Sequence, residues 1–224
     1  MNLVISVVYL ISIFVLTIII YKYFGKGGLF IWISLNLIVC NIQSAKTIQI
    51  FGKLVSLGNI SYSAVFLSTD ILNEKYGIKE ANKSVYVCFV VMVLFLCMIQ
   101  ATIKFVPSNS NISQEALKIV FGSLPRVTFA SLISYIVSQK LDTYIYDLLK
   151  KKNVSLWIKN NFSTIISQIL DSIIFVSISF GCSFLFNECM DLIFTMIIFK
   201  SIIALLDTPF MYIANSTENI NELL

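Results

Sequence analysis

The sequence predicts an all-α, polytopic integral membrane helical bundle, and three observations carry that reading. Of its 224 residues, 58% are hydrophobic and only 12% charged, with mean hydropathy +0.88, whereas a soluble domain carries about 25% charged residues. Uncharged runs such as 3–21 and 84–103 match the ~20 apolar residues that cross about 30 Å of hydrocarbon. These runs do not alternate apolar and polar positions, so the spanning segments are helices and not barrel strands.

Along the chain, spans are expected at 3–21, 28–43, 59–72, 83–106, 127–149, 161–186 and 191–213, seven crossings in all. The first begins Met1-Asn2-Leu3 with no basic n-region and no small-residue cleavage site, so it reads as a retained helix and not a signal peptide. The third is the odd one. Between Lys46 and Gly77 the apolar stretch is short, glycines fall at 52 and 58, and Ser68-Thr69-Asp70 closes it. Either a broken element lining a site or a short tilted helix fits that pattern, because non-helical backbone survives at membrane depth only where protein or a water-filled cavity satisfies it. Asp70 and Glu74 are then expected at a gate or site near the cytoplasmic side.

Basic residues orient the bundle, since short cytoplasmic loops collect Lys and Arg. Lys150-Lys151-Lys152 with Lys159 puts the 149–161 loop inside, and alternation brings Lys22, Lys26, Lys75, Lys79 and Lys83 inside as well. Lys46, Lys53, Lys118 and Arg126 fall outside, so the bias is incomplete. The N-terminus then faces out and the tail, 214–224, faces in.

Composition excludes several functions. The chain has no histidine, which removes the usual general base, proton relay and metal ligand, and with them Ser/His hydrolysis and histidine-based zinc chemistry. Cysteines at 40, 88, 97, 182 and 189 have no C-x-x-C spacing and read as small buried hydrophobes. The net charge of +4 is mostly topogenic and gives no support to nucleic-acid binding. No metal or cofactor is expected.

Polar residues inside the later spans carry the functional signal. Ser134-Tyr135-Ile136-Val137-Ser138-Gln139-Lys140-Leu141-Asp142 recurs twenty-nine residues on as Ser163-Thr164-Ile165-Ile166-Ser167-Gln168-Ile169-Leu170-Asp171, the polar positions matching along with the apolar ones. Ser131, Tyr135, Ser138 and Asp142 form one helical stripe, and Asn160, Thr164, Ser167 and Asp171 another. At 1.5 Å per residue from the basic loop, Gln139, Asp142, Gln168 and Asp171 are expected about 10–18 Å deep, in one layer. Lys200 and Asp207 share a face of the last span, and a charge at the bilayer centre costs ~2.5–3.5 kcal/mol or more on insertion scales, so such groups face the bundle interior and pair. Lys200 against Asp142, Asp171 and Asp207, with Lys140 snorkelling toward the inner surface, predicts a polar cavity. Interhelical stapling by hydroxyls and amides is the simpler alternative.

A carboxylate beside an amide suits a planar solute with two adjacent donors, such as a guanine-like edge, and Tyr135, Tyr144 and Phe175 would supply stacking faces. The residues alone stop at a small polar heterocycle or amine.

Asn41-Ile42-Gln43 with Lys46, Phe66-Leu67-Ser68-Thr69-Asp70-Ile71 with Glu74-Lys75-Tyr76-Gly77, and Ala130-Ser131 with Tyr135 and Ser138-Gln139-Lys140-Leu141-Asp142 resemble the queuosine precursor transporter family of YhhQ type, and Ser163-Thr164, Gln168, Asp171-Ser172, Lys200 and Pro209 continue the match. The resemblance covers about 28–213. It implies a bacterial inner-membrane importer of 7-deazaguanine bases or queuine, a fold related to vitamin-uptake transporters, and a substrate site drawing on Asn41, Gln43, Lys46, Asp70, Glu74, Tyr135, Gln139, Asp142, Gln168, Asp171, Lys200 and Asp207. It also implies a six-helix core at 28–213, with residues 1–27 as an additional helix and loop. Lys159 stands where relatives carry arginine, which weakens the case for a two-pronged contact there. The implied partners are a nucleobase-like solute and the lipid bilayer, with a homodimer compatible. The alternative is the substrate-binding subunit of an energy-coupling-factor transporter, which would need energising subunits because the chain has no G-x-x-x-x-G-K-[ST]. An intramembrane aspartyl protease would need two Asp, yet Leu141-Asp142-Thr143 and Leu170-Asp171-Ser172 lack the neighbouring glycine, so no enzymatic activity is expected.

Overall fold

Backbone groups at membrane depth must bond within their own segment, and this chain meets that demand with helices. The computed structural model describes residues 2–50, 52–106, 112–122, 125–180 and 186–220. Cys182 and the end of the span expected at 161–186 lie outside them. In order come α1 (Asn2–Gln43), a hairpin of β1 (Thr47–Ile50) and β2 (Lys53–Ser56), then α2 (Gly58–Tyr76) and α3 (Ile78–Lys104). A short α4 (Ile112–Leu117) and a π-helical turn (Lys118–Gly122) lead to α5 (Pro125–Lys151), α6 (Leu156–Phe180) and α7 (Phe186–Ser216).

α1 is two limbs, 2–24 and 26–43, folded back on each other at Gly25, whose φ of 54° and ψ of −141° are non-helical. Trp32 Nε1 donates to Thr17 Oγ1 at 2.9 Å and Gln43 Nε2 to Tyr9 OH at 2.8 Å. Residues roughly equidistant from Gly25 therefore meet, as antiparallel limbs require. A Cβ at Gly25 would stand 1.8 Å from Asn219 Nδ2. Gly25→Ala should therefore cost about 1–3 kcal/mol through strained backbone alone, with undocking of the C-terminal segment in addition. Thermal unfolding in detergent checks the cost, and unchanged stability would contradict it. At the same end, Gly77 (φ 85°) turns α2 directly into α3.

Of the two alternatives for the third element, α2 overturns the broken one. It is one helix of 19 residues, and every residue from Gly58 to Asn73 is buried. Its polarity is tolerable because protein surrounds it: α1, α3, α5 and α7 all contact it. Hydroxyl hydrogens are turned back onto the helix, Ser63 to Ile60 O (2.6 Å) and Ser68 to Ala64 O (2.6 Å). Among the described residues four helices are long and apolar enough to cross a membrane: α1, α3, α6 and α7. α2 and α5 add buried polar groups to those that α6 and α7 turn inward.

The two limbs of α1 and the five long helices after them run alternately up and down. One end gathers Lys26 against Glu80 (3.2 Å), Lys75 Nζ against Asn215 O (2.6 Å) and the α5–α6 turn, where Asn153 takes φ 52°. The opposite end holds the β-hairpin and the Tyr9–Gln43–Ser61 cluster. The hairpin was not expected. Its register pairs Thr47 with Ser56 and Ile50 with Lys53, and Ile50 and Val55 are buried.

Candidate functional site

From the hairpin end a cavity of about 670 Å³ descends into the bundle, a size that suits a small-molecule ligand. The hairpin (Leu54, Val55, Ser56), α5 (Ser131, Ser134), α6 (Phe175) and α7 (Thr195, Met196) wall it, and its lining includes Tyr62, Asp171 and Lys200.

These last three form one buried unit. Lys200 Nζ bonds directly to Asp171 Oδ2. Tyr62 OH donates to Asp171 Oδ1 at 2.9 Å, and Ser138 Oγ donates to the same oxygen at 3.2 Å. The ammonium also stands 5.1 Å from the Tyr62 ring centroid. Lys200 and Asp171 are each 3% exposed, so this pair is stable only because each charge answers the other and Tyr62 and Ser138 add hydrogen bonds to Oδ1.

Toward the basic end lies a second level. Asp70 and Asp142 lie side by side, and Asp207 acts electrostatically on both. Thr164 Oγ1 donates to Asp70 Oδ2 at 3.3 Å, and Asn160 Nδ2 to Asp207 Oδ1 at 2.6 Å. Ser163 and Ser167 adjoin Asp142, yet their hydroxyls donate to Asn160 O and Ser163 O. Among the described residues, Asp142 Oδ1 and Oδ2, Asp70 Oδ1 and Gln139 Nε2 are buried without a hydrogen-bond partner. Gln139 Oε1 accepts from Thr69 Oγ1 at 3.0 Å.

A third level closes the basic end. Lys159 Nζ bonds both oxygens of Glu74 at 2.9 Å, and Tyr146 OH adds a bond to Oε2 at 3.1 Å. Lys150 Nζ reaches the C-terminal carbonyls of α2, Asn73 O at 2.7 Å and Glu74 O at 2.5 Å, where a cation complements the helix dipole. Asn73 Nδ2 donates to Thr143 O at 2.8 Å. α2 is thus latched to the α5–α6 hairpin.

The single layer expected for the repeat is two levels. α5 and α6 are antiparallel, so Asp171 comes level with Ser138 while Asp142 comes level with Thr164, about one helical turn further in. Lys200 pairs with Asp171, and Asp142 and Asp207 are held elsewhere. Gln168 is buried with Oε1 unpartnered among the described residues and does not line the cavity. Tyr135 is fully buried, its hydroxyl 3.5 Å from Val85 O on α3, and Tyr144 is exposed, so of the three expected stacking rings Phe175 alone lines the cavity. Lys140 stands 4.4 Å over the Tyr86 ring on the outer side of α5.

Three further expected residues lie away from the cavity. Asn41 Nδ2 bonds Leu37 O and contacts Met92 Sδ. Gln43 joins Tyr9 to Ser61, whose Oγ donates to Gln43 Oε1 at 2.7 Å. Lys46 is exposed at the end of α1. Sequence reasoning missed Tyr62 and Lys159. Ser61-Tyr62-Ser63 was a signal for the first, a polar-flanked tyrosine in a helix too polar to face lipid. Lys159 was counted as topogenic, although a lysine 7% exposed needs a partner, and here it does contact both carboxylate oxygens. Tyr62→Phe removes one donor to Asp171 and is expected to weaken ligand binding about tenfold, 1.4 kcal/mol, whereas Asn41→Ala and Lys46→Ala leave it unchanged. Calorimetric titration of the purified variants separates the two sets.

Buried charge, enclosing helices and a solute-sized cavity define a multi-pass membrane transporter. A family profile described as "Putative vitamin uptake transporter" matches residues 56–214, and the chain belongs to that family. A Bacillus subtilis (strain 168) protein named "Probable queuosine precursor transporter" is 37% identical over 204 residues, 90% of this chain and 89% of the relative. A Haemophilus influenzae protein of the same name is 26% identical over 125 residues, 55% of this chain and 51% of the relative. No solved structure matches.

Proposed function

We propose that the protein imports 7-deazaguanine precursors of queuosine, or queuine, across a bacterial cytoplasmic membrane. The observation that carries this reading is the Lys200–Asp171 pair on the cavity wall. A guanine-like edge presents O6 as an acceptor beside N1–H and the 2-amino group as donors, so O6 suits the Lys200 ammonium and the two N–H groups suit the Asp171 carboxylate. Tyr62 and Phe175 offer the ring two aromatic faces. The relatives' names and the family match support the same substrate class.

In this reading the basic end is cytoplasmic, the cavity opens outward, and the Glu74–Lys159 latch is the closed inner gate. Asp70, Asp142 and Gln139 form an inner station the substrate meets once the latch releases. No chemistry is performed on the solute.

Ligand-induced thermal stabilisation tests the site. Wild-type protein should be stabilised by the deazaguanine bases and not by adenine, while Asp171→Asn, already destabilised by the stranded Lys200 charge, should gain no further stabilisation from them. A loss of 2–4 kcal/mol, ~30- to 1000-fold in affinity, is expected for a mismatched charged acceptor. Stabilisation by adenine and the deazaguanines alike would overturn the assignment. Vesicles containing the purified chain alone should equilibrate labelled base. Uptake only after addition of ATP-hydrolysing subunits would favour the energy-coupling reading, and crosslinking in the same vesicles reports whether a homodimer is the transporting unit.

A further inference from the structure

We propose that the groove between the first limb of α1 and α7 binds one acyl chain of a zwitterionic phospholipid, whose headgroup is held by Lys53 and Asp191. The groove encloses about 320 Å³ and shares only Thr195 with the central cavity. Its walls are apolar side chains from both helices, among them Leu3, Leu10, Ile198 and Leu206.

Three features select the occupant. The first is length. From Asp191 to Leu206 the groove follows α7 for about 22 Å, enough to take a chain through one leaflet of a hydrocarbon core about 30 Å thick. Below Leu10 and Leu206 the rings of Phe14 and Phe210 meet at 5.1 Å and join the two helices. The second is charge at one end only. Lys53 and Asp191, its two charged groups, lie at the hairpin end, the level of the headgroups when the bundle spans a bilayer, and apart from the hydroxyls of Ser6 and Thr195 the lining beyond them is apolar. The third is sign. Lys53 and Asp191 have opposite signs, and among the described residues neither forms an ion pair. A phosphate suits Lys53 and an ammonium suits Asp191, so a headgroup carrying both satisfies the site. An anionic headgroup without an ammonium would set its phosphate near Asp191 with nothing to offset the repulsion. A compact ring would leave most of the length unfilled.

The test is native mass spectrometry of the full chain released from nanodiscs of equal phosphatidylethanolamine and phosphatidylglycerol. One phospholipid per chain should be retained, with the ethanolamine lipid favoured at least tenfold. Leu206→Trp, or Ile198→Trp should the first variant fail to assemble, fills the groove and should abolish retention. Asp191→Lys should reverse the headgroup preference. Equal retention of both lipids by the wild-type chain, or retention unaffected by the tryptophan variants, would overturn the proposal.

Discussion

Replacing Lys200 by methionine is expected to be the most damaging single change in the molecule. Asp171 would keep its hydrogen bonds from Tyr62 and Ser138 but lose its counter-charge in a buried site. Breaking a buried pair from one side costs about 3–5 kcal/mol, because the remaining ion is uncompensated. The protein should insert poorly, and whatever folds should not bind substrate. The double variant Lys200→Met/Asp171→Asn separates the two consequences. Removing both charges should restore most of the stability, as neutral replacement of buried pairs commonly does, while uptake stays absent because the O6 donor is gone and the amide offers one neutral acceptor where the carboxylate offered two charged ones. Detergent thermal unfolding and a transport assay on the same preparation read both effects. A double variant that regains transport would reduce the pair to a structural fastening.

Weakening the inner latch should have the second largest effect. Glu74→Gln keeps the shape but removes the charge that Lys159 and Tyr146 contact. Charge-assisted hydrogen bonds contribute about 1.5–3 kcal/mol each, so losing even one shifts a closed-to-open equilibrium by roughly 10- to 100-fold. With native cysteines replaced and a reporter cysteine at Thr164, an impermeant thiol reagent applied to inside-out vesicles should react at least tenfold faster in the Glu74→Gln background. Unchanged labelling would mean that the cluster fastens helix ends without gating anything.

How far the sequence could be read follows from what hydropathy reports. α1, α3, α6 and α7 are legible because each holds a stretch long and apolar enough to meet lipid. α2 was misjudged because hydropathy assumes lipid around every span, and α2 is ringed by protein. The repeated Gln-x-x-Asp element located α5 and α6 as the polar pair, yet a repeat between antiparallel helices does not put matching residues at one depth, so Asp142 and Asp171 part by a turn. Asn41, Gln43 and Lys46 came from motif resemblance alone, and the structure uses Gln43 to staple the limbs of α1 to α2. Tyr62 could not be ranked among ten tyrosines without knowing that it stands beside Asp171. The hairpin at 47–56 is too short for period-two patterning to register.

The central claim is that this cavity delivers queuosine precursors. The direct measurement is queuosine in the tRNA of a bacterium unable to make or import the precursors, fed each candidate base while expressing this chain. Queuosine should appear with the wild-type chain and at least one fed base, and should be absent with Lys200→Met/Asp171→Asn expressed at a matched level. No queuosine with any base, or equal queuosine from the double variant, would contradict the account.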